Sequence, residues 1–490
     1  MLDDARIEAI IQEVMTELRQ GERVRHGPSP EPPRGPLPTS APPAPALRHG
    51  DNLFPDVDSA VEAARRAYRQ LNALPLSLRE QMISHVRRAA RENAQLMAYE
   101  AWQETGMGRY EDKVQKNLLN ANRAPGTELL PPKAWSGDDG LTLVEYAPYG
   151  VIGSIIPSTN PTSTVICNTI SMVAAGNAVV FNAHPGALAS SNHAVQLLHE
   201  AIVEAGGPRN LICAIAEPTI ESAQGIMRHP GVDLLTVTGG AGVVREAMQS
   251  GKRAVCAGPG NPPVVVDQSA DLAQAGRDIV RGAAFDNNII CIDEKEIFAV
   301  AAIADELKRV MGQHGAYEIN AGQLDRLMRA IFAQVPPAGQ HGTMNKDFIG
   351  KNANVLLKEI GIDVGDEVRL VLVEVERDHP LVFSEQMMPI LPLVRVRNAG
   401  EGIDLALAAE HGFRHTAVMH SKNLDHLSRM AREMDCSIFV KNAPSYAGVG
   451  YGGEGFCSFT IASPTGEGIT NPISFSRVRR CVLKDSFRIV

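Results

Sequence analysis

Cys291 is the residue whose type and surroundings could carry covalent chemistry. It ends the run FDNNIIC at residues 285–291, in which a polar turn leads into two isoleucines and then the thiol. A cysteine in an apolar run is usually a core residue. A thiolate, however, is a strong nucleophile that forms covalent intermediates. Because a free cysteine has a pKa of about 8.5 and is mostly protonated at neutral pH, a catalytic site is expected to lower that pKa.

Two turns could bind a ligand beside such a thiol. Residues 239–242 (GGAG) follow a predicted strand and open a helix, but the closing glycine of the fingerprint G-x-G-x-x-G is missing. This turn is either a phosphate cradle or, more often in proteins, a plain connection. Residues 157–161 (PSTNP) form a polar turn fixed by two prolines at the end of a buried strand. Turns in that place commonly line ligand sites in doubly wound sheets.

The elements that must hold these residues alternate between strand and helix. Between predicted helices lie apolar strands at 151–156, 178–181, 211–215 and 234–237. Such units form a parallel sheet with helices on both faces, so the predicted fold class is α/β. A second α/β block is predicted from strands at 263–266, 296–300, 369–375, 391–396 and 437–440. Further strands are predicted at 134–146 and 473–490, outside both blocks, and exposed edge strands often pair in a subunit interface.

The composition excludes several classes of protein. The 490 residues carry a net charge of −9, which argues against a general grip on nucleic acid. The seven cysteines are odd in number and include no CxxC pair, so we expect a reducing cytoplasm and no metal site. No apolar run reaches the length of about 18 residues that a membrane span requires. The amino terminus also lacks the pattern of a secretion signal.

Residues 1–20 form a predicted segment of their own. Apolar residues recur there at helical spacing, with acidic residues mostly on the other face, which predicts an amphipathic helix. Residues 21–50 are predicted to be a linker, because nine prolines fall between residues 27 and 47. The helix is therefore tethered outside the main fold, either as a frayed tail or as a docking peptide whose apolar stripe a partner buries.

Five ordered motifs, together with the run before Cys291, resemble the aldehyde dehydrogenase superfamily and, more closely, its CoA-acylating branch. The motifs are PSTNP at 157–161, GPGNPP at 258–263, EQMMP at 385–389, EHGFRHT at 410–416 and PTGEG at 464–468. With the amino-terminal segment and linker, the last motifs are similar to those of propionaldehyde and acetaldehyde dehydrogenases packaged in bacterial microcompartments. The resemblance covers the chain from about residue 50 to its end.

The resemblance implies a Rossmann-like nucleotide-binding domain, a catalytic α/β domain and a small β arm for oligomerisation. It also implies a homo-oligomer in the cytoplasm, inside a microcompartment, with residues 1–20 available to a shell protein. The implied ranges are 51–130 and 150–258 for the nucleotide-binding domain, 259–464 for the catalytic domain, and 131–149 and 465–490 for the arm.

Residue roles follow from the resemblance, position by position. Cys291 becomes the nucleophile, Glu385 holds the nicotinamide ribose and Met387 lies beside the nicotinamide. Residues 182–185 (NAHP) stand where hydrolytic relatives have K-P-x-E, so NAD rather than NADP rests on family habit. Residues 238–240 match the turn that covers the cofactor pyrophosphate. The expected cofactor-binding residues are Pro157, Ser158, Thr159, Asn182, His184, Thr238, Gly239, Gly240, Val243, Gly258, Glu385 and Met387.

Ala257 is the decisive departure from the hydrolytic relatives. They carry a glutamate base in an ELGGK-like run, where this chain has AGPGN at 257–261. Without a base to activate water, a thioester on Cys291 should survive until coenzyme A takes the acyl group. His415 is the candidate base for the CoA thiol, because imidazole titrates near neutrality. A loop histidine without a catalytic role is the alternative.

The expected reaction joins a short aldehyde (propanal or acetaldehyde), NAD and CoA. Cys291 attacks the aldehyde, and its backbone N–H together with Thr159 or Asn160 holds the oxyanion. Thr159 takes the aligned position of the family's asparagine, whereas Asn160 has the matching chemistry, so both stay open. Hydride then passes to the nicotinamide, NADH leaves, and CoA cleaves the thioester. A hydrolytic enzyme that releases free acid and a catalytically silent microcompartment scaffold are the alternatives.

Overall fold

The computed structural model describes residues 51–490, so the predicted helix at 1–20 and the linker at 21–50 lie outside the described residues. Two parallel sheets and two small antiparallel sheets contain the strands of this part of the chain. In chain order the strands are β1 (Leu53–Phe54), β2 (Lys133–Gly137), β3 (Gly140–Pro148), β4 (Val151–Ile155), β5 (Ala178–Asn182), β6 (Ile212–Ile215), β7 (Leu234–Thr238), β8 (Ala254–Ala257), β9 (Pro263–Val266), β10 (Glu296–Val300), β11 (Ala316–Ile319), β12 (Leu370–Glu374), β13 (Ile390–Val396), β14 (Thr416–His420), β15 (Ile438–Lys441), β16 (Ile461–Ala462), β17 (Gly468–Ile469) and β18 (Ser476–Lys484).

Several helices begin at a side chain that binds a free backbone N–H. Asp56 accepts a hydrogen bond from the N–H of Ser59 at 2.8 Å, and Asp271 accepts one from Gln274 at 3.1 Å. In chain order the α-helices of the described residues are α1 (Val57–Asn72), α2 (Ser77–Glu92), α3 (Ala94–Thr105), α4 (Tyr110–Arg123), α5 (Pro161–Ala174), α6 (Leu188–Glu204), α7 (Ile220–Arg228), α8 (Ala241–Gln249), α9 (Leu272–Ala283), α10 (Ala301–Gln313), α11 (Ala321–Ile331), α12 (Ala353–Lys358), α13 (Ala399–Ala409) and α14 (Leu424–Met434).

The first sheet has the strand order β1-β6-β5-β4-β7-β8, and all its neighbouring strands are parallel. Ile152 of β4 lies between Val179 of β5 and Leu234 of β7. All five residues of β4 are buried, as are all residues of α5. After β4 the chain adds β5 and then β6 on one side of that strand, and it then crosses to the other side of β4 to form β7. This reversal creates the switch point at which doubly wound sheets bind ligands.

The second sheet has the order β11-β12-β13-β10-β9-β14-β15 and is also parallel throughout. The chain passes to it from the end of β8 through residues 258–262. Every residue of its central strand β10 is buried, including the carboxylate of Glu296. The α/β fold with parallel sheets that the sequence predicts is therefore confirmed.

A three-stranded antiparallel sheet of β18, β3 and β2 lies outside both parallel sheets. Its longest pairing runs from Ser476 opposite Pro148 to Lys484 opposite Gly140. All residues of β2 and nearly all of β18 are exposed. Both predicted segments contain strand, but the first is divided into β2 and β3 by a turn, and strand occupies only Ser476–Lys484 of the second. Within residues 51–490, no helix combines the length and the apolar character needed to cross a bilayer.

Candidate active site

A cleft of about 640 Å³ lies at the carboxyl ends of β5, β4, β7 and β8. These strands are neighbours in the first sheet, so the turns that follow them meet at one edge. Cys291 lines the cleft, as do Thr159 and Asn160. The cleft is also lined by each cofactor-binding residue that the sequence predicts: Pro157, Ser158, Thr159, Asn182, His184, Thr238, Gly239, Gly240, Val243, Gly258, Glu385 and Met387.

The turn after β7 leads directly into α8. Gly240 is the N-cap residue, and no side chain caps the first N–H groups of this helix. A Cβ at Gly240 or Gly242 would have no heavy atom within 4 Å, so the backbone is open to close approach. Free N–H groups and the positive end of the helix dipole favour an anion. The turn therefore fits the pyrophosphate of a dinucleotide.

The polar residues at the end of β5 and just after it form hydrogen bonds within the protein. Asn182 Oδ1 accepts a hydrogen bond from Ser222 Oγ at 2.6 Å, and His184 Nδ1 accepts one from the N–H of Gly186 at 3.0 Å. Burial and the charge of Lys346 lower the pKa of His184, so its imidazole is neutral at pH 7. Residues 182–185 thus offer neither the acid that typically binds a ribose hydroxyl nor a fixed cation for a 2′-phosphate.

Glu385 and Met387 reach the cleft from the loop before β13. Glu385 Oε1 accepts a hydrogen bond from the N–H of Gly260 at 3.4 Å. Burial raises the pKa of Glu385, and the charge of Lys295 opposes that shift. Met387 has a φ of +52°, a left-handed conformation that costs energy without glycine. Its carbonyl accepts a hydrogen bond from Gly350 at 2.8 Å, which holds this conformation.

The Cys291 thiol faces the cleft in surroundings that disfavour the thiolate. Burial raises its pKa to about 12, Glu385 adds to the shift, and the charge of Lys295 opposes it. The expectation that the site lowers this pKa is therefore wrong for the protein alone, because removing water from the sulfur outweighs the nearby cation. A raised pKa favours the protonated thiol, so attack on an aldehyde must include loss of the thiol proton.

Lys295 holds the loop that carries Cys291. Its buried ammonium group donates hydrogen bonds to the carbonyls of Asn288, Ile290 and Asp293, at 3.2, 3.1 and 3.2 Å. The three donors of an ammonium group are thereby all used on one short loop. Just before the loop, residues 286–288 have φ angles of +44°, +56° and +66°, a strained backbone that these contacts help to hold. Lys295, which follows Cys291 in the chain, therefore helps to fix the position of the thiol.

Asn160 and Thr159 lie side by side in the turn between β4 and α5. Asn160 Oδ1 accepts a hydrogen bond from Lys116 Nζ at 2.7 Å. Asn160 Nδ2 donates to Thr159 Oγ1 at 3.2 Å. The amide of Asn160 thus keeps one N–H free, and the hydroxyl of Thr159 already serves as an acceptor.

His415 lies behind Gly260 and does not line the cleft. A Cβ on Gly260 would be 2.4 Å from the carbonyl oxygen of Cys291 and 3.1 Å from Cγ of His415, so these three residues pack closely. The imidazole Nδ1 and Thr416 Oγ1 form a hydrogen bond of 2.9 Å, while Nε2 is buried and has no partner among the described residues. Burial, with the charge of Lys295, lowers the pKa of His415 to about 3.

Sequence reasoning missed Lys116, Asp286 and Lys295. The run DEKE at 293–296 was a usable signal, because three charged residues separate the thiol from the predicted strand at 296–300 and a fourth opens that strand. Such a run is normally solvated, yet all four side chains are buried. Lys116 offered no comparable signal, since a single lysine in a helix rich in polar residues is ordinarily solvated.

A partly buried cysteine that shares a cleft with a dinucleotide-type turn fits an oxidoreductase with a cysteine nucleophile, and sequence comparison agrees with this class of enzyme. The chain matches the aldehyde dehydrogenase family over residues 54–459, and it belongs to that family.

Individual relatives narrow the comparison. The chain is 49% identical to the acetaldehyde dehydrogenase (acetylating) of Salmonella typhimurium over 444 residues, covering 90% of this chain and 94% of the relative. A propionaldehyde dehydrogenase from the Clostridium phytofermentans fucose utilisation bacterial microcompartment superimposes with a TM-score of 0.86 at 47% identity, covering 90% and 100% of the two chains. The Rhodopseudomonas palustris propionaldehyde dehydrogenase, solved with bound CoA and an acylated cysteine, gives 0.86 at 46% identity, covering 89% and 98%. The predicted resemblance to the CoA-acylating branch is confirmed.

Proposed function

We propose that this chain oxidises a short aldehyde, propanal or acetaldehyde, and passes the acyl group to coenzyme A. The observation that carries the proposal is that Cys291 shares one cleft with the glycine turn at 238–240. Position 257, where hydrolytic relatives keep a glutamate base, is an alanine. The acetylating relatives, and the related structure with CoA and an acylated cysteine, support the same reaction.

In the first half-reaction, Cys291 attacks the aldehyde and Asn160 helps to stabilise the oxyanion that forms. The Cys291 thiol releases its proton to solvent as its sulfur bonds to the aldehyde carbon, whose π electrons move to the oxygen. The backbone N–H of Cys291 and Nδ2 of Asn160 donate to this oxyanion. Both side chains keep a free donor, and we favour Asn160 over Thr159 because Lys116 binds the amide oxygen of Asn160 and thereby strengthens its N–H as a donor. When the oxyanion collapses, a hydride leaves the carbon and a thioester remains on Cys291, so the aldehyde carbon has lost two electrons.

An oxidised nicotinamide, when bound, supplies the acceptor for that hydride. The turn at 238–240 would hold the pyrophosphate, Glu385 would bind the nicotinamide ribose, and Met387 would pack beside the ring. We propose NAD as the dinucleotide because its use is typical of the family. Residues 182–185 do not decide between NAD and NADP, since they include neither an acid nor a lysine.

The second half-reaction transfers the acyl group. The CoA sulfur bonds to the thioester carbon, the bond from that carbon to Cys291 breaks, and the CoA thiol proton must find an acceptor. We propose His415 as that acceptor, supported by its unpartnered Nε2 and by its packing against Gly260 beside the Cys291 carbonyl. Its lowered pKa counts against the role, since a weaker base removes a thiol proton less readily.

Replacing His415 with alanine tests this role. We expect His415→Ala to slow thioester transfer more than hydride transfer, because the imidazole acts only when CoA attacks. Stopped-flow mixing with propanal and NAD should still give a burst of NADH, followed by a slowed steady state with CoA. A lost burst would place His415 in the first half-reaction, and an unchanged steady state would remove it from the mechanism.

One assay tests the proposed function as a whole. NADH formation from propanal is measured with and without CoA, and the products are separated. We expect continuous turnover only with CoA, at most one NADH per site without it, and acyl-CoA as product. Sustained turnover to free acid without CoA would establish the hydrolytic alternative. An absence of NADH under both conditions would leave the silent scaffold.

Ala257→Glu restores a carboxylate where hydrolytic relatives keep their base. A well-placed general base contributes about 10²–10⁴-fold, but this one lacks supporting contacts, so we expect a rise of roughly tenfold or less in the ratio of free acid to acyl-CoA. The ratio is measured at fixed CoA. Ala257→Gln is the matched control, because it adds a side chain of the same size without the base. Equal ratios in the two variants would mean that missing base chemistry does not protect the thioester.

We also propose a domain and assembly plan. Residues 51–130 and 150–258 would form the nucleotide-binding domain and 259–464 the catalytic domain. Residues 131–149 and 465–490 would form an oligomerisation arm, for which the exposed edges of the three-stranded sheet provide support. The microcompartment relative supports a location inside such a compartment. We further propose, from the apolar spacing of residues 1–20 in the sequence, that this segment binds a shell protein.

A further inference from the structure

Two lysines of α4 are buried on the same face of the helix. Lys113 and Lys116 are one turn apart and are 2% and 1% exposed. Lys113 Nζ donates to Asp286 Oδ2 at 3.1 Å, and Lys116 Nζ contacts the same oxygen. Burying an ammonium group is costly unless it is paired and hydrogen-bonded. Asp286 therefore anchors both lysines beneath the cleft.

Asp286 and the neighbouring Asp112 are the carboxylates that face the two buried lysines. Burial opposes the ionisation of Asp286, yet the two lysines outweigh it and hold the pKa of this carboxyl below its ordinary value. Asp112 accepts a hydrogen bond from the N–H of Asp286, but burial raises the pKa of Asp112 to about 6, although Arg369 opposes that shift. At pH 7 a carboxyl with this pKa is still mostly ionised, so both acids carry negative charge, and Lys116 acts on Asn160 through direct contact with its amide.

The side-chain amide of Asn160 lies next to the ammonium group of Lys116. Lys116 Nζ donates to Asn160 Oδ1 at 2.7 Å and approaches the carbonyl of Thr159 at 3.4 Å. Among the described residues, no hydrogen bond joins Lys113 to Asn160. Since the ammonium group can bind only the amide oxygen, it fixes which end of the amide points away from it. The end that remains for the cleft is Nδ2.

From this geometry we infer that Lys116 is a positioning residue of the oxyanion site, which turns and polarises the Asn160 amide so that Nδ2 donates to the oxyanion formed on Cys291. The inference rests on the proposed function. A flipped amide would present Oδ1 to a developing negative charge, which would destabilise the transition state. Lys116 prevents this flip because its ammonium group binds the amide oxygen. The oxyanion then forms on the other side of the amide, so its negative charge and the positive charge of Lys116 lie at opposite ends of the amide dipole. Asp286 holds Lys116 in place and lies in the segment that leads to Cys291.

Lys116→Met tests the inference, with Lys113→Met as the matched control. Both changes remove one buried ammonium group that binds Asp286, and only the first removes the contact with Asn160. The readout is the rate of the NADH burst from propanal. Loss of one oxyanion donor typically costs about 10²–10³ in kcat. We expect a loss of about tenfold or more for Lys116→Met, with the KM for aldehyde nearly unchanged, and a clearly smaller loss for Lys113→Met. Equal losses would overturn the inference.

A double-mutant cycle separates positioning from a general structural role. Asn160→Ala should itself slow the burst strongly, and adding Lys116→Met should then cost little more, because the lysine acts through the amide. Additive losses would overturn the inference. An assay of the wild-type enzyme distinguishes failure of the proposed function from failure of the role of Lys116. If the wild-type enzyme shows no CoA-dependent turnover of propanal, the proposed function fails. If it shows this turnover but the losses in the variants are additive, only the role of Lys116 fails.

Asn160→Asp carries the test if Lys116→Met does not fold. The aspartate keeps an oxygen for Lys116 but has no N–H to donate. We expect a melting temperature that is kept or raised by the new ion pair, together with at least a tenfold slower burst. A burst at the wild-type rate would show that the Asn160 amide is not the donor and would overturn the inference.

Discussion

Cys291→Ala is expected to abolish both NADH formation and acyl-enzyme formation while leaving the protein folded. The substitution removes the only thiol among the residues that line the cleft, and the other six cysteines, all within residues 51–490, lie elsewhere. Loss of a covalent nucleophile costs on the order of 10⁴-fold or more in kcat. Mass spectrometry after incubation with propanal and NAD, without CoA, should detect one added propanoyl group in the wild type and none in the variant.

Cys436→Ala is the control for this experiment. Its thiol is partly buried like that of Cys291, and burial also raises its pKa to about 12, but it lies outside the cleft lining. We expect this variant to keep the NADH burst and the acyl label. A label retained in Cys291→Ala would assign the nucleophile to another cysteine and would require a different site.

Gly260→Ala is expected to lower the burst rate by about 100-fold. Its added Cβ would stand 2.4 Å from the carbonyl oxygen of Cys291, a distance that real Cβ atoms do not adopt. The Cys291 carbonyl cannot yield freely, because Lys295 binds the carbonyls on both sides of this residue in the same loop. The thiol must therefore shift, and a displacement of about 1 Å can cost about 10²-fold in rate.

Gly312→Ala provides the control for a glycine replaced by alanine. Gly312 lies in α10, and its added Cβ would meet no heavy atom within 4 Å. We expect wild-type activity and a melting temperature that is equal or slightly higher, since alanine favours helix. If Gly260→Ala also kept its burst rate, close packing behind the thiol would not be what positions Cys291.

Sequence predicts most of the two parallel sheets. The predicted strands at 263–266 and 296–300 coincide with β9 and β10, because strands buried on both faces are continuous apolar runs. Strands β1, β8, β11 and β14 were not predicted. They have two, four, four and five residues, and runs this short show too little periodicity to be distinguished reliably from loops.

The site was predictable where it depends on topology. Turns at the carboxyl ends of neighbouring parallel strands must meet, so residues 157–161 and 238–240 could be placed together. The contacts of Lys116 could not be predicted, since its partners Asn160 and Asp286 are 44 and 170 positions away and no pattern links them. The raised pKa of Cys291 was missed for a related reason, because burial is a property of the folded packing.

The two walls of the cleft come from different sheets, joined by the short crossing at 258–262. Strand ends of the first sheet form the wall that fits a dinucleotide, whereas the loops around the second sheet contribute Cys291, Glu385 and Met387. For enzyme engineering this separation is useful. Substitutions at 182–185 can be screened for coenzyme preference while the thiol and its supporting loop stay intact, and gains made on one wall should add to gains on the other where the changed residues share no partner.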